Sequence, residues 1–212
     1  MKLTIYDMDG TLLSGTTYTP FLLFAARRLA PWRLVLVPAW FALLVAHKLR
    51  LLSRTRMKHL GMRLLVGPIA RDRLDHVTRD FATKRMSRLF PGARAALAQD
   101  RQEGRQVVIA TAAYGLYAEH VARALAVEHL VASGWDPVGP IHPNCYGPEK
   151  LARVEAWLAE HQLSAAEIRF VSDSFADAPL LDRAQEAWFV TTDPRKAARA
   201  QARGWRVVDF SR

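Results

Sequence analysis

The first apolar stretch of the chain ends in two aspartates, and this arrangement limits the folds open to the sequence. Residues Leu3 to Tyr6 are β-prone and predict a buried strand, which Asp7 and Asp9 follow at once. Gly10 then frees the backbone to turn. Open α/β sheets bind ligands at the carboxyl ends of their strands, so the two acids indicate a site there. Two carboxylates this close repel unless a cation or a shared proton offsets them, and Mg²⁺ suits such oxygen ligands.

The rest of the chain alternates predicted strands and helices, which indicates an α/β fold with a parallel sheet. Strands are predicted at 106–111, 130–133, 168–171, 188–191 and 205–208. Residues 15–89 have a helical pattern, and Pro91 and Gly92 mark a boundary directly after them. We therefore expect a catalytic core of residues 1–14 and 90–212, with an inserted all-helical cap of residues 15–89.

Three further polar motifs follow predicted strands or begin a predicted helix. Thr111 ends its strand before a small-residue loop that starts at Ala112, and its hydroxyl with the following amides could hold a phosphate oxygen. Lys150 stands at a helix start, where its charge would offset carboxylate and phosphate groups. Asp173 and Asp177 follow the strand at 168–171. Each motif alone is weak, whereas their order along the chain is specific.

Taken together, these motifs resemble the four motifs of the haloacid dehalogenase-like (HAD) superfamily, whose first motif reads Asp-x-Asp-Gly-Thr-Leu. The sequence from Asp7 to Leu12 has this form. The insert stands where the phosphoserine-phosphatase-like branch of the superfamily carries its helical cap. The resemblance implies a Rossmann-like core sheet and phosphatase chemistry.

The resemblance also implies roles for the acidic residues. Asp7 would be the nucleophile that forms an aspartyl-phosphate, and Asp9 would be the general acid and then the general base. Mg²⁺ would be held by the Asp7 carboxylate, the Asp9 backbone carbonyl and the Asp173 carboxylate. Asp177 would support the metal or orient the motif lysine. Ser172 stands where this branch often has glycine.

For phosphate binding, the resemblance points to the second and third motifs. Thr111, Ala112 and Lys150 would hold the phosphate, with help from Gly10 and Thr11.

The charge of +10 is concentrated in the insert. No acidic residue occurs between Asp9 and Asp72, whereas this interval holds ten basic residues, and the rest of the chain carries 20 basic and 20 acidic residues. Such a block attracts polyanions, and we expect an anionic membrane surface, contacted through residues 20–63, rather than nucleic acid. The single cysteine, Cys145, and the lack of a visible secretory signal favour a cytoplasmic location, at the inner face of the cytoplasmic membrane.

The insert also contains an uncharged apolar run, residues 34–46. Its thirteen residues are shorter than the ~20 needed to span a bilayer, and Pro38 is expected to kink it. One interpretation places residues 20–52 in the membrane interface, with Trp32 and Trp40 at head-group level. The other buries the run inside the cap.

The composition of the insert also indicates the class of substrate. Phosphoserine phosphatases offer an early cap glutamate to the substrate amine, and this insert has no such acid. The chain resembles bacterial lipid phosphatases of the phosphatidylglycerophosphatase C group in the apolar segment, in residues 145–150 and in residues 172–181. We therefore expect a Mg²⁺-dependent phosphatase of a membrane lipid phosphate such as phosphatidylglycerophosphate. A soluble phosphatase of small phosphomonoesters and a non-catalytic basic binding protein are the alternatives.

Overall fold

A computed structural model of the chain describes residues 1–69, 71–136, 142–164 and 166–212. Its centre is a six-stranded sheet in the order β3-β2-β1-β4-β5-β6, and every pair of neighbouring strands is parallel. The strands are β1 (Lys2–Tyr6), β2 (Gln106–Tyr114), β3 (His129–Ser133), β4 (Glu167–Ser172), β5 (Glu186–Val190) and β6 (Arg206–Val208). This confirms the predicted α/β fold with a Rossmann-like sheet.

Strand β1 lies inside the sheet and is buried on both of its faces. Leu3 and Ile5 join one buried cluster with helices from one side, and Tyr6 joins a second cluster on the other side. A strand buried on both faces reads as a continuous apolar run, as expected in a parallel sheet. The first aspartate is therefore carried to the middle of the carboxyl edge.

Helices cover both faces of the sheet. The core helices are α5 (Pro91–Gln102), α6 (Gly115–Ala124), α7 (Pro148–Glu160), α8 (Ala178–Arg183) and α9 (Pro194–Gln201). They alternate with the strands along the chain, as the sequence predicts. Strand β2 is longer than predicted and runs to Tyr114, because the apolar small residues after Thr111 continue the strand through a register shift. The prolines and glycines at 136–148 predict a turn-rich segment, and residues 137–141 of it lie outside the described residues.

The insert is helical throughout its described part. It contains α1 (Tyr18–Leu29), a 3₁₀ helix (Pro31–Leu36), α2 (Val37–Lys48), α3 (Arg54–Gly61), a π-helical turn (Met62–Val66), α4 (Arg71–Arg85) and a 3₁₀ turn (Met86–Arg88). The chain leaves and re-enters the core side by side, since Leu13 and Leu89 form an isolated β-bridge. We propose this bridge as the boundary between core and cap.

The apolar run at 34–46 differs from its predicted form. It is divided between the 3₁₀ helix and α2, so the predicted kink at Pro38 is wrong. Pro38 lies in the first turn of α2, where a missing N–H costs no helical hydrogen bond. Among the described residues, no helix has the length and apolarity needed to span a bilayer.

The two tryptophans of this region have different environments. Trp40 is fully buried against Tyr18 at a ring-centroid distance of 5.6 Å, so its predicted place at a membrane interface is wrong. Trp32 is 66% exposed. Large apolar side chains elsewhere in the segment are also exposed, namely Val35, Phe41, Val45, Leu49 and Leu51. Within this chain, the segment is therefore neither wholly buried nor wholly exposed.

Candidate active site

The floor of the site is a buried lysine shared by two aspartates. Lys150, in the first turn of α7, donates hydrogen bonds from Nζ to Asp7 Oδ1 at 2.9 Å and to Asp177 Oδ2 at 2.7 Å. Asp7 follows β1 directly, and its N–H donates to the Val171 carbonyl of β4. Ser172 Oγ also donates to Asp177 Oδ2, at 2.8 Å. The structure therefore brings together residues that are far apart in sequence.

The second aspartate is held by the first turn of the cap. The backbone N–H and the hydroxyl of Thr17 both donate to Asp9 Oδ2 at 3.0 Å. The other oxygen, Oδ1, is buried and has no hydrogen-bond partner among the described residues. Burial raises the pKa of Asp9, although the Thr17 hydrogen bonds oppose the shift. A raised pKa favours a protonated carboxyl group that can give a proton to a ligand.

Gly10 and Thr11 position a third acid. Gly10 has a φ of +81°, and a Cβ atom there would lie 2.3 Å from Asp173 Oδ2, so the glycine makes room for this carboxylate. The Thr11 hydroxyl lies 3.3 Å from Asp173 Oδ1 and accepts from the Asp173 N–H at 3.0 Å. The N–H of Gly10 donates to the Leu13 carbonyl. Both residues therefore help to position Asp173, and the N–H group of Gly10 is already used in a hydrogen bond.

Thr111 and Ala112 lie near the carboxyl end of the neighbouring strand β2, which continues to Tyr114. Thr111 Oγ1 accepts from the Ala113 N–H at 3.0 Å, which leaves its own O–H available as a donor. The Ala112 carbonyl accepts from Lys58 Nζ at 2.6 Å and from Ser133 Oγ at 2.9 Å. A cap lysine thus contacts the loop expected to bind phosphate.

These groups line one cavity of about 400 Å³ between core and cap. The core contributes the four acids Asp7, Asp9, Asp173 and Asp177 together with Thr111 and Lys150. The cap contributes Leu44, His47, Arg54 and Lys58 together with several uncharged side chains, and no carboxylate is among its lining residues in the described chain. The cavity therefore has an acidic floor and a basic wall.

The floor of the cavity has more acidic than basic side chains. Burial raises the pKa of Asp7 to about 7; Lys150 opposes this shift, and Asp177 and Asp173 reinforce it. Burial also raises the pKa of Asp173. Burial disfavours the charge of Lys150, but its two carboxylate partners outweigh burial and raise its pKa. One lysine shared by two aspartates, with a third acid nearby, leaves excess negative charge that a cation would stabilise.

The donor set suits Mg²⁺, which prefers carboxylate and carbonyl oxygens. Three acidic, histidine or cysteine side chains do not converge on one point anywhere in the described residues. A metal here would therefore need a ligand other than a side chain, as expected if the Asp9 backbone carbonyl contributes.

Sequence reasoning identified the residues at the strand ends and missed their partners. Thr17, Lys58 and Ser133 carry no motif that marks them. Ser172 was visible as a departure from the branch pattern, and its hydroxyl bond to Asp177 accounts for a hydroxyl-bearing residue at this position.

Comparison with known sequences supports one family. The profile of the haloacid dehalogenase-like hydrolases matches residues 4–182. A probable phosphatase of Mycobacterium tuberculosis is 29% identical over 129 residues, which cover 58% of this chain and 45% of that protein. The chain thus spans less than half the length of the curated relatives it matches.

Solved structures share the fold. A Bordetella pertussis protein of unknown function has a TM-score of 0.83 and 24% identity, with 99% of this chain and 98% of that chain covered. A phosphoserine phosphohydrolase-like protein from Francisella tularensis has a TM-score of 0.63 and 14% identity, with 98% and 95% covered. At these identities, the likeness shows a shared architecture alone.

Proposed function

Because the chain belongs to the haloacid dehalogenase-like hydrolase family, we propose that it is a Mg²⁺-dependent phosphatase that cleaves phosphomonoesters through an aspartyl-phosphate on Asp7. The observation that carries this proposal is the buried Asp7–Lys150–Asp177 cluster at the carboxyl edge of the sheet, which opens into a cavity beside Asp9. The lysine holds Asp7 in place and would offset the charge of an incoming phosphate.

In the first half of the reaction, a carboxylate oxygen of Asp7 attacks phosphorus and the bond from phosphorus to the alcohol oxygen breaks. Asp9 gives its proton to that oxygen, so the alcohol leaves neutral. In the second half, Asp9 takes a proton from water, which attacks phosphorus and releases phosphate from Asp7. Thr17 fixes one oxygen of Asp9 and leaves the other free for both transfers.

Asp7, Asp173 and the Asp9 carbonyl would hold the Mg²⁺. When bound, the ion neutralises charge on the phosphoryl oxygens. Lys150 and the free O–H of Thr111 bind and orient the phosphate. Asp177 keeps Lys150 beside Asp7, and Ser172 in turn holds Asp177.

For the substrate, we propose a lipid phosphomonoester, such as phosphatidylglycerophosphate, reached at a membrane surface. Phe41 and Val45 of α2 are 58% and 57% exposed, while Leu44 and His47 of the same helix line the cavity. A helix that lay on a bilayer with this exposed face would place the cavity wall next to the lipid head groups. The exposed arginines and lysines of the cap would attract anionic lipid, at roughly 1 kcal/mol for each one near the surface.

The test measures phosphate release with Mg²⁺ from phosphatidylglycerophosphate in mixed micelles, with phosphoserine and an aryl phosphate alongside. Wild type is compared with Asp7→Asn. The lipid should be preferred strongly, and all turnover should be lost in the variant. Turnover of soluble esters alone would keep the phosphatase chemistry and overturn the lipid substrate. Turnover of no ester would overturn the enzymatic proposal.

Membrane docking has a separate test. Phe41→Glu/Val45→Glu should abolish co-sedimentation with anionic vesicles and lower lipid turnover, with little effect on a soluble ester. Ala156→Glu/Ala159→Glu, on the exposed face of α7, adds the same charge away from the cap and should bind vesicles like wild type. Equal loss in both double variants would indicate a net-charge effect rather than a docking face.

A further inference from the structure

The cap contains a buried cation that the proposed mechanism does not use. Lys58 of α3 is only 4% exposed and lines the cavity. Its Nζ donates to the Ala112 carbonyl at 2.6 Å and to Asn144 Oδ1 at 2.7 Å, and lies 4.3 Å from the centre of the Tyr114 ring. All of these neighbours are uncharged.

Lys58 differs in this respect from other buried cations of the chain. Lys150, Arg105 and Arg169 each contact at least two carboxylates. Within the described ranges, no carboxylate forms an ion pair with Lys58. Burying an unpaired charge is costly, so the site as it stands favours an added anion.

The electrostatic surroundings point the same way. Burial, reinforced by the nearby charge of Arg54, lowers the pKa of Lys58 to about 7, while Asp9 and Cys145 act weakly in the opposite direction. Arg54 lines the same cavity and lies over the Tyr146 ring at 4.0 Å. An anion placed between them would offset both charges and retain the proton on Lys58.

The position of Lys58 indicates which part of the substrate would carry the anion. Lys58 contacts Ala112, the residue after Thr111, so it lies beside the expected phosphate position rather than at it. The phosphoryl group has Lys150 and Thr111 available. The group near Lys58 would then be part of the alcohol that leaves.

We propose that Lys58 forms a second anion subsite, which binds an oxyanion carried by the alcohol portion of the substrate. The proposal rests on the phosphatase function proposed above and narrows its substrates to phosphomonoesters that bear a second acidic group. A phosphodiester or a carboxylate has the required chemistry, in a lipid or in a water-soluble ester.

The first experiment separates the second anion from the acyl chains. Phosphatidylglycerophosphate and its deacylated head group, glycerophosphoglycerophosphate, both carry a phosphodiester beside the phosphomonoester. Phosphatidate and glycerol 3-phosphate provide the lipid and soluble esters without it, and 3-phosphoglycerate provides a carboxylate. We expect kcat/KM to be about 10- to 100-fold higher with the second anion, as for one charge-assisted hydrogen bond, whether or not acyl chains are present.

The second experiment assigns the preference to Lys58. Lys58→Met keeps a long unbranched side chain without the charge, and should raise KM for doubly anionic esters about 10- to 100-fold while glycerol 3-phosphate changes less than about threefold. Lys58→Arg should retain most of the preference. Arg56→Gln removes an exposed charge from the same helix and should behave as wild type.

Several outcomes would overturn the proposal. Wild type could show no preference for a second anion, or Lys58→Met could keep it. An equal loss of kcat on every ester in Lys58→Met would make the lysine a support for the Ala112 loop only. Phosphatidate turnover without the preference would leave the lipid phosphatase intact and remove the subsite alone.

A binding measurement tests the subsite even if the protein turns over none of these esters, or if Lys58→Met does not fold. Calorimetric titration with glycerophosphoglycerol, which has the phosphodiester and no phosphomonoester, should show binding to wild type and to Asp7→Asn. Lys58→Gln should bind at least about 10-fold more weakly. Absence of binding to folded wild type would refute the subsite.

Discussion

Replacing Gly10 by alanine should disable the site by moving Asp173. Two costs arise at this position. The φ of +81° penalises any side chain, by about 1–2 kcal/mol. In addition, the new Cβ would lie 2.3 Å from Asp173 Oδ2 and 2.6 Å from its Cγ, whereas ordinary contacts begin near 3.4 Å. The carboxylate must therefore retreat by about 1 Å, a displacement that can cost about 100-fold in rate.

The chain offers matched controls for the backbone cost. Gly15 and Gly204 have φ values of +76° and +78°, and a Cβ at either would meet no atom within 4 Å. Gly15→Ala and Gly204→Ala should lower the free energy of unfolding by about 1–2 kcal/mol and leave activity near wild type. Gly10→Ala should lose about 100-fold or more in kcat/KM and require a higher Mg²⁺ concentration for half-maximal rate.

The assays are urea unfolding without metal and phosphate release across a Mg²⁺ titration, on the best ester of wild type. Activity of Gly10→Ala within a few-fold of Gly15→Ala, at an unchanged Mg²⁺ requirement, would refute the assigned role of Asp173. An equal loss at Gly15 would attribute the effect to the loop backbone instead.

Three further predictions follow from the buried groups. Asp7→Asn should abolish phosphate release, by at least about 1,000-fold, with native circular dichroism, because it removes the nucleophile; residual rapid turnover would assign the nucleophile elsewhere. Ser172→Ala should cost about 1–2 kcal/mol in urea unfolding, since Asp177 loses a buried hydrogen bond; an unchanged midpoint would contradict this. The folded-state pKa of Lys58 is lowered from 10.5 to about 7, so the unfolded chain binds more protons between these values and stability should rise with pH above 7. Lys58→Met should flatten this rise between pH 7 and 9 and Arg56→Gln should keep it, as measured by urea midpoints in metal-free buffer.

The core fold was predictable because its signals are local and agree with one another. The strand at 168–171 has β-prone apolar residues at three of its four positions and is flanked by polar residues, and the structure extends it by only one residue at each end. The helix after Gly147 begins at Pro148, a residue suited to a first helical turn. Such patterns need no knowledge of tertiary contacts.

The packing of the cap was harder to predict, because the periodicity of its sequence does not indicate which residues are in contact. Residues 34–46 are apolar at every position, so no periodicity separates a buried face from an exposed one. Trp40 of α2 packs against Gly61 of α3, where a Cβ would lie 2.6 Å from the indole ring. This contact is between two different helices. The partners of Asp9 and Ala112, Thr17 and Lys58, are likewise set by how the cap folds back on the core.

The positive charge of the insert divides into two parts that salt should distinguish. Arg27, Arg28, Lys48, Arg50 and Arg56 are exposed, whereas Lys58 is buried. Interactions of exposed charges are screened over about 8 Å at physiological ionic strength, and those of buried charges much less. Raising salt should therefore release the protein from anionic vesicles while the preference for a second anion on a water-soluble ester persists. If both effects declined together, the lysine would be acting as one more surface charge, and the cap would have a single role.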